Sequence, residues 1–456
     1  MLWPPFSREA RTAWEFPAEA SAEPASRHEK WERSEVEAPA PTRSAPRQVI
    51  FMNRFFFPDH SATSQILTDL AFHLAGGEID VRVVASQQRY DDPNAHLPEA
   101  ESIDGVAIHR ILTTRFGRSA LIGRGFDYLS FYSSARSVLA WAKPGDVLVA
   151  KTDPPLLSVA AMHAAKRRGL HLVNWLQDLY PEVAAALGVP VVKGPLGRCL
   201  LQLRDASLRA ADVNVVVGER MAEIVCKRGI APERIRVIPN WCDDEEIQPL
   251  APLNNPLRRE WGLGDRFVVG YSGNLGRGHD VETVLAAAEH LRGDRRLCFL
   301  FIGGGQKFPE LAHSVRAREL DHLFRFLPYQ ERRVLRLSLA VPDVHLISLR
   351  PELEGLMVPS KLYGIAAVGR AIIAVTACDG EVARLVRRHD CGVVVEPGAG
   401  ELLADMLRRL RANPGRLAEM GRHARAMLDA HFSRRHAFAR WRSLVEEIAQ
   451  PTPRIK

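Results

Sequence analysis

The chain has 456 residues of ordinary globular composition, with 61 basic and 54 acidic side chains and a formal charge of +7. That length predicts two or three domains with sizeable cores. The basic residues are spread along the chain with no nucleic-acid module and no aromatic–basic interleave, which argues against a nucleic-acid reader. Six cysteines lie scattered without a Cys-x-x-Cys pair. They exclude a disulfide framework and a structural zinc site, and predict a reducing cytosol.

Residues 1–46 mix Pro, Glu, Ala, Arg and Ser with no apolar period and read as a disordered tail. From residue 47 the pattern changes. Residues 48–57 read as a strand and 58–65 as a polar loop. Ile66, Leu67, Leu70, Ala71 and Leu74 then recur at helical spacing up to Gly76-Gly77, and 81–86 is the next strand. This is a βαβ opening without the Gly-x-Gly-x-x-Gly of a dinucleotide site. Apolar runs at 106–111, 146–151, 171–177, 212–218 and 234–240 read as buried parallel strands. The first domain is therefore predicted over 47–242.

Residues 243–256 are acidic and proline-rich and read as a linker. A second α/β series fills 257–437, with strands at 266–273, 298–305, 324–329, 344–349, 371–375 and 392–398 and helices at 281–291, 401–412 and 414–430. Residues 438–456 carry a last helix, expected to pack back on the first domain, and a short tail. The fold class is α/β, with two Rossmann-like domains facing across a cleft. The longest uncharged apolar stretch, 154–165, is too short to span a bilayer, and the first residues lack a signal-peptide core. The expected location is cytoplasmic, or peripheral on the inner face of the membrane, with the basic runs 332–337 and 408–411 as its contact.

The chain is organised around 348–382, which reads as strand, loop, helix, strand. Ligands of open α/β sheets sit off the carboxyl ends of strands, where loops turn into helix N-termini that favour phosphate. There the chain carries Ser360, a cap-type residue, and Lys361, one of only nine lysines among 61 basic residues. Just upstream, Glu354 offers a carboxylate to sugar hydroxyls, and Gly355 lets backbone approach a ligand closely.

YSGNLGRGH (271–279), FIGGG (301–305), ELEGLMVPSKLYG (352–364), DGEVARLV (379–386) and GVVVEPG (392–398) follow in an order and spacing that resembles the family 4 glycosyltransferases. These are retaining, metal-independent enzymes of the GT-B fold. PDHSATSQILTDLA (58–71), KTDPPLLS (151–158) and NWLQDLYPE (174–182) are similar to the branch that builds bacterial surface polysaccharides. The resemblance implies that Gly273, Asn274 and the loop to His279 hold the donor diphosphate. It implies that Glu354 contacts donor sugar hydroxyls, that backbone around Gly355, Leu356 and Met357 cradles the diphosphate or sugar, and that Lys361 pairs with phosphate. The chain departs from the family where Arg and Lys are usual: Asn274 and His279 stand there, with Arg277 between them. Leu362, or Gly364 in a shifted register, replaces the second Glu that grips ribose, and Glu381 is either its substitute or a helix N-cap.

Retention without a metal needs protein charge on the leaving diphosphate, which Arg277 and Lys361 can supply beside the helix N-termini, Ser360 included. The expected path is front-face transfer, in which a donor phosphate oxygen takes the proton of the acceptor hydroxyl. No cofactor is expected beyond the nucleotide-sugar substrate, with UDP as the expected nucleotide. His60, Lys151, Asp153, Asp178 and Glu182 follow first-domain strands on the cleft side and are the candidate ligands of a lipid-linked or saccharide acceptor; capping and interdomain salt bridges are the other roles open to Asp178 and Glu182. Two other readings keep the fold: a nucleotide-sugar epimerase, and a non-catalytic scaffold in a polysaccharide assembly complex.

Overall fold

The computed structural model describes residues 48–449 apart from Glu78, Asp91, Pro93, 117–120, Lys193, Pro252 and Leu253. The tail predicted over 1–46 and the last residues of the 438–456 segment lie outside the described residues. In the first half the elements are β1 (Val49–Met52), α1 (Ala62–Ala75), β2 (Val81–Ser86), β3 (Ala100–Ile103), β4 (Val106–Ile111), α2 (Leu121–Val138), β5 (Val147–Ala150), α3 (Leu157–Arg168), β6 (His171–Leu176), α4 (Glu182–Ala186), α5 (Gly194–Ala210), β7 (Val213–Val216), α6 (Glu219–Lys227) and β8 (Ile235–Val237). The second half runs α7 (Pro256–Glu260), β9 (Phe267–Asn274), α8 (Glu282–His290), β10 (Leu297–Gly304), α9 (Phe308–Ala317), β11 (Phe324–Leu327), α10 (Leu335–Ala340), β12 (Val344–Ser348), α11 (Lys361–Ala367), β13 (Ala371–Val375), α12 (Glu381–Arg388), β14 (Gly392–Val395), α13 (Gly400–Ala412) and α14 (Pro414–Met427), closed by α15 (Arg434–Ala449).

Two sheets result, ordered β3-β4-β2-β1-β5-β6-β7-β8 and β11-β10-β9-β12-β13-β14. The second is the doubly wound 3-2-1-4-5-6 order, and the first repeats it with a strand added at each edge, β3 and β8. Such sheets are covered on both faces, so their strands are apolar throughout. VIFM of β1 shows why. Val49 and Phe51 pack with α1 and α15, while Ile50 and Met52 pack with α2 and α3. Alternate residues of one strand thus serve two helical layers.

The last helix starts earlier than its apolar pattern, at Arg434. It packs on the first sheet: Trp441 is fully buried, with its ring 4.5 Å from Trp175, and Phe438, Leu444, Val445 and Ile448 share that core. Arg434 Nε donates to Asp69 Oδ2 at 2.9 Å on α1, and Trp241 Nε1 reaches the same carboxylate at 2.7 Å. The described residues form one compact unit.

Two elements differ from expectation. The strand predicted over 48–57 ends at Met52, because the chain turns at Asn53, whose side-chain amide donates to Phe55 O at 2.7 Å. β3 is not among the elements expected from the sequence. It is the antiparallel partner of β4 across a turn at Asp104-Gly105, with φ of 48° and 79°. An Asp-Gly pair between alternating strands is the signal that finds it.

Candidate active site

In both sheets strand order reverses beside the first strand, at β1/β5 and at β9/β12, and the crevice off those carboxyl ends is where ligands of such folds sit. In the second half β9 runs out at Gly273-Asn274, next to the glycine turn after β10. Gly273, at φ 115°, brings its carbonyl so close that a Cβ on Gly303 would lie 2.3 Å from it. Gly305, at φ 117°, lies against Asn274, whose side chain is exposed. The two turns are tied by Leu275 N to Gly304 O at 2.7 Å. This is backbone packed too tightly for side chains, open to the crevice.

Lys361 opens α11 beneath that turn. Its ammonium lies 3.8 Å from the Tyr271 ring centroid and donates to the Tyr271 hydroxyl, which donates on to Asn274 O at 2.9 Å. Burial lowers the Lys361 pKa to about 7, because no carboxylate compensates the desolvation. His279 stands edge-on to the same ring at 5.7 Å, and its Nδ1 donates to Ser348 O at 2.6 Å. Burial, then the Lys361 charge, lowers its pKa to about 3. In the free protein His279 is thus a neutral imidazole at pH 7. Two groups here escaped the sequence reading: Tyr271, which its place at the end of a YSG strand could have flagged, and Lys307, whose Nζ donates to His279 O at 2.9 Å.

Several expected donor ligands have other partners. Ser360 has helical dihedrals and makes no capping bond with its side chain, so it is not the cap its residue type suggests. Arg277 reaches over to the first half, its Nη2 donating to Leu187 O at 2.6 Å. Gly355, at φ 74°, is buried against α6, where a Cβ would lie 2.6 Å from Ile224. Leu356 N donates to Leu353 O at 3.0 Å, Leu356 O accepts from Leu179 N at 2.8 Å, and Met357 bridges to Asp178. Much of the expected backbone cradle is therefore spent on joining the halves. The Leu356 and Met357 side chains join Leu349, Leu353 and Val183 in an apolar cluster across that joint.

The Glu354 carboxylate rests on Gly380, accepting the Thr376 hydroxyl and, at 3.3 Å, the Glu381 N–H. Burial raises its pKa. Glu381 does not cap its own helix. Its carboxylate accepts the N–H groups of Glu219 at 3.1 Å and Arg220 at 2.8 Å, at the start of α6 in the first half. Both carboxylates satisfy helix amides that have no intrahelical partner.

In the first half, Asp153 and Asp178 follow β5 and β6. Burial raises the Asp178 pKa to about 6, the Asp153 charge adds to it, and Lys151 opposes it. Burial above all raises the pKa of Tyr128, Tyr132 and Tyr180, and the Asp153 charge adds to each shift, so these groups share one pocket. Lys151 itself is 1% exposed. Its ammonium lies 4.0 Å from the Trp175 ring and donates to Thr63 O at 2.6 Å, which makes it the floor of this pocket instead of a free ligand. Glu182 points away, paired with Arg204 at 2.5 Å and Arg228 at 3.1 Å. His60 is exposed on the loop after β1. The structure thus gathers Asp153 and Asp178, and assigns Lys151 and Glu182 to support.

Residues 62–241 match the model of a glycosyl transferase 4-like domain, and residues 266–413 match that of the glycosyl transferases group 1. A probable glycosyltransferase of Pseudomonas aeruginosa, WbjE, is 28% identical over 326 residues, 70% of this chain and 79% of that protein. A putative colanic acid biosynthesis glycosyl transferase of Escherichia coli K12, WcaI, is 29% identical over 272 residues, 58% of this chain and 66% of that one. Anabaena HepE, solved in complex with UDP, superposes with a TM-score of 0.66 at 14% identity, covering 88% of this chain and all of that one (100%). WaaG, a glycosyltransferase involved in lipopolysaccharide biosynthesis, gives 0.61 at 15% identity, covering 87% and 99%. Those structural likenesses carry the fold, and the sequence matches carry the family. The chain belongs to the family 4-type glycosyltransferases of the GT-B fold, related to enzymes of polysaccharide biosynthesis.

Proposed function

We propose that the enzyme is retaining and metal-independent, and moves a sugar from a UDP-sugar to a lipid-linked or saccharide acceptor in surface polysaccharide synthesis. The observation that carries this reading is Lys361, an ammonium held on Tyr271 beside the glycine turns of β9 and β10. Desolvated and without a carboxylate, it gains most from an arriving diphosphate, and it can neutralise the charge that builds on the leaving group. UDP is favoured because HepE was also solved with UDP-glucose. Glu354 would give up the Thr376 hydroxyl or share it with donor sugar hydroxyls. The acceptor would lie against Asp153 and Asp178, its hydroxyl approaching from the side the diphosphate leaves. No enzyme nucleophile is then needed, and a donor phosphate oxygen takes the proton.

The test is calorimetry with UDP, GDP, ADP and TDP on wild type and Lys361→Ala, followed by the anomeric configuration of the product and transfer with a chelator present. Binding of UDP that Lys361→Ala abolishes, a retained anomer and a chelator-insensitive rate support the reading. An inverted product or chelator inhibition sinks it. Absence of any nucleotide binding favours the scaffold.

The enzyme is also read here as peripheral at the inner membrane face. Among the described residues no helix is long and apolar enough to cross a membrane. The basic runs singled out from the sequence are largely taken up: Arg332 pairs with Asp243 at 2.9 Å, Arg336 donates to Gln248 O at 3.1 Å, and Arg411 pairs with Asp294. The better support is α2 and the segment before it. Phe126 and Leu129 are 55% and 62% exposed there beside Leu112 and Phe116, and Arg136, Arg167 and Arg168 line a hollow further along α2. Apolar side chains beside clustered arginines suit an anionic bilayer surface, although Arg168 also donates to Ala140 O at 2.7 Å. Sedimentation with phosphatidylglycerol vesicles, lost in Phe126→Ser/Leu129→Ser, is the check.

A further inference from the structure

We infer that Glu381 is a positioning residue that couples the two halves to the donor carboxylate: it seats its side chain on α6 of the acceptor half while its own amide holds Glu354. The inference rests on the reading of Glu354 as the donor-sugar contact.

The geometry is specific. Glu381 opens α12 in the second half, yet its side chain leaves that helix and is 7% exposed at the joint. Oε1 accepts from Glu219 N at 3.1 Å and Oε2 from Arg220 N at 2.8 Å. These are the first amides of α6, whose N-cap is Gly218 and which has no capping side chain of its own. Helix-end amides need an acceptor, and a carboxylate is the strongest that a side chain offers. Here the acceptor comes from the opposite half. Gly218 has φ −165°, which any residue adopts, so it is not there for its dihedrals. A Cβ at Gly218 would lie 2.7 Å from Glu381 Cδ, so the glycine makes room for the carboxylate.

The arrangement repeats one step away. The Glu381 N–H lies 3.3 Å from Glu354 Oε2, and a Cβ on Gly380 would lie 2.4 Å from Glu354 Cδ. A carboxylate of the donor loop thus rests on the start of α12, whose first residue rests on the start of α6. Ion pairs flank the joint: Arg220 with Asp379 and Arg384 with Glu223, each at 2.7 Å, and Arg388 with Glu219 at 3.4 Å. They are exposed to partly exposed and individually weak. Glu381 is the buried contact of this joint that also touches the donor carboxylate. Parting the halves returns the α6 amides and the Glu381 carboxylate to water, and frees the 380–381 backbone that aims Glu354. The side chain expected either to substitute for the missing ribose-gripping Glu or to cap its own helix is here turned to the first half.

Two perturbations reach the contact from opposite sides. Glu381→Gln removes the charge from the donor half, and Gly218→Ala pushes the carboxylate away from the acceptor half without touching donor residues. With the exposed Cys199 and Cys226 replaced by Ser and one spin label on an exposed residue of each half, wild type gives a single narrow interlabel distance. Both variants broaden and lengthen it. UDP affinity changes less than twofold, while kcat on the UDP-sugar turned over (UDP-glucose, UDP-galactose and UDP-N-acetylglucosamine tried in turn) falls at least tenfold. Gly218→Ala/Glu381→Gln is no worse than Glu381→Gln alone. Melting curves confirm that both variants fold. Wild-type distances in both variants overturn the inference, and so do broadened distances with unchanged kcat. If distances and kcat respond but Glu354→Ala leaves donor KM and kcat untouched, it is the donor reading of Glu354 that fails.

Discussion

The Lys361 ammonium makes the sharpest prediction, because its charge state is set by burial. Its pKa of about 7 lies far below the ordinary 10.5. A diphosphate favours the charged form, so the complex holds that proton more tightly than the empty site does. Nucleotide affinity is therefore full below pH 7 and lost as pH rises through it. With a pKa near 7, the charged fraction falls from about one half at pH 7 to about one hundredth at pH 9, so UDP affinity should fall up to roughly 50-fold over that interval. Binding should also take up about half a proton at pH 7 and close to one at pH 8.

Calorimetry from pH 7 to 9, in buffers of different ionisation enthalpy, measures both quantities. That window also stays above the last phosphate pKa of the nucleotide, roughly 6. Lys361→Met keeps the stem and removes the charge, so its affinity should be low and flat with pH. The same variant should be more stable than wild type at pH 6, by roughly 2–4 kcal/mol, since the folded state no longer buries an uncompensated ammonium. Equal UDP affinity at pH 7 and 9, without a buffer-dependent heat, would refute Lys361 as the counter-charge of the diphosphate.

Glu354→Ala should leave UDP affinity within about twofold and raise the KM of the intact donor roughly 10- to 100-fold, the cost of one or two hydrogen bonds to a charged group. Steady-state kinetics beside calorimetry separates the two. Glu182→Ala should leave acceptor KM unchanged but lower stability by roughly 1–3 kcal/mol in urea melts, because it removes the two-pronged carboxylate partner of Arg204, which is 3% exposed and keeps Asp205 at 2.7 Å. Trp441→Ala should cost roughly 3–5 kcal/mol, read as an earlier urea midpoint, since its ring fills the layer between α15 and the first sheet.

Most of the fold was legible because parallel strands buried on both faces leave a plain mark. VIFM, VLVA and AIIAV have no polar residue to hide them. The 3.6-residue spacing of Ile66, Leu67, Leu70, Ala71 and Leu74 is as plain, since all five lie in the buried stripe of α1. The edge strand β3 is hard to see in the sequence because AESI is exposed at alternate positions and offers only two apolar residues, Ala100 and Ile103. The turn pair Asp104-Gly105 was the better clue.

The site was legible by segment and less so by side chain. Gly273 and the Asp153–Asp178 pair stand at the carboxyl ends of strands and Lys361 at the start of α11, where a sequence can locate them. Their partners come from elsewhere in the chain. Nothing in the local sequence records that Glu354 rests on α12 while Glu381 crosses to α6. Glu182 looked like an acceptor ligand because it follows β6. Arg204 and Arg228, 22 and 46 residues on, claim it instead.

The same physics explains why so many expected ligands have protein partners. A cleft between two α/β sheets is lined with helix N-termini, and each presents amides with no partner in its own helix. Left buried and unpaired, such groups cost about 1–3 kcal/mol apiece. Nearby carboxylates and carbonyls therefore close on them, as Glu381 does on α6 and the 353–357 backbone does on 178–179. Donor and acceptor must compete with these contacts to enter. A ligand gains most where the protein's own substitute is poorest, and in this cleft that place is Lys361, whose ammonium has a phenol and a ring face for company and no carboxylate.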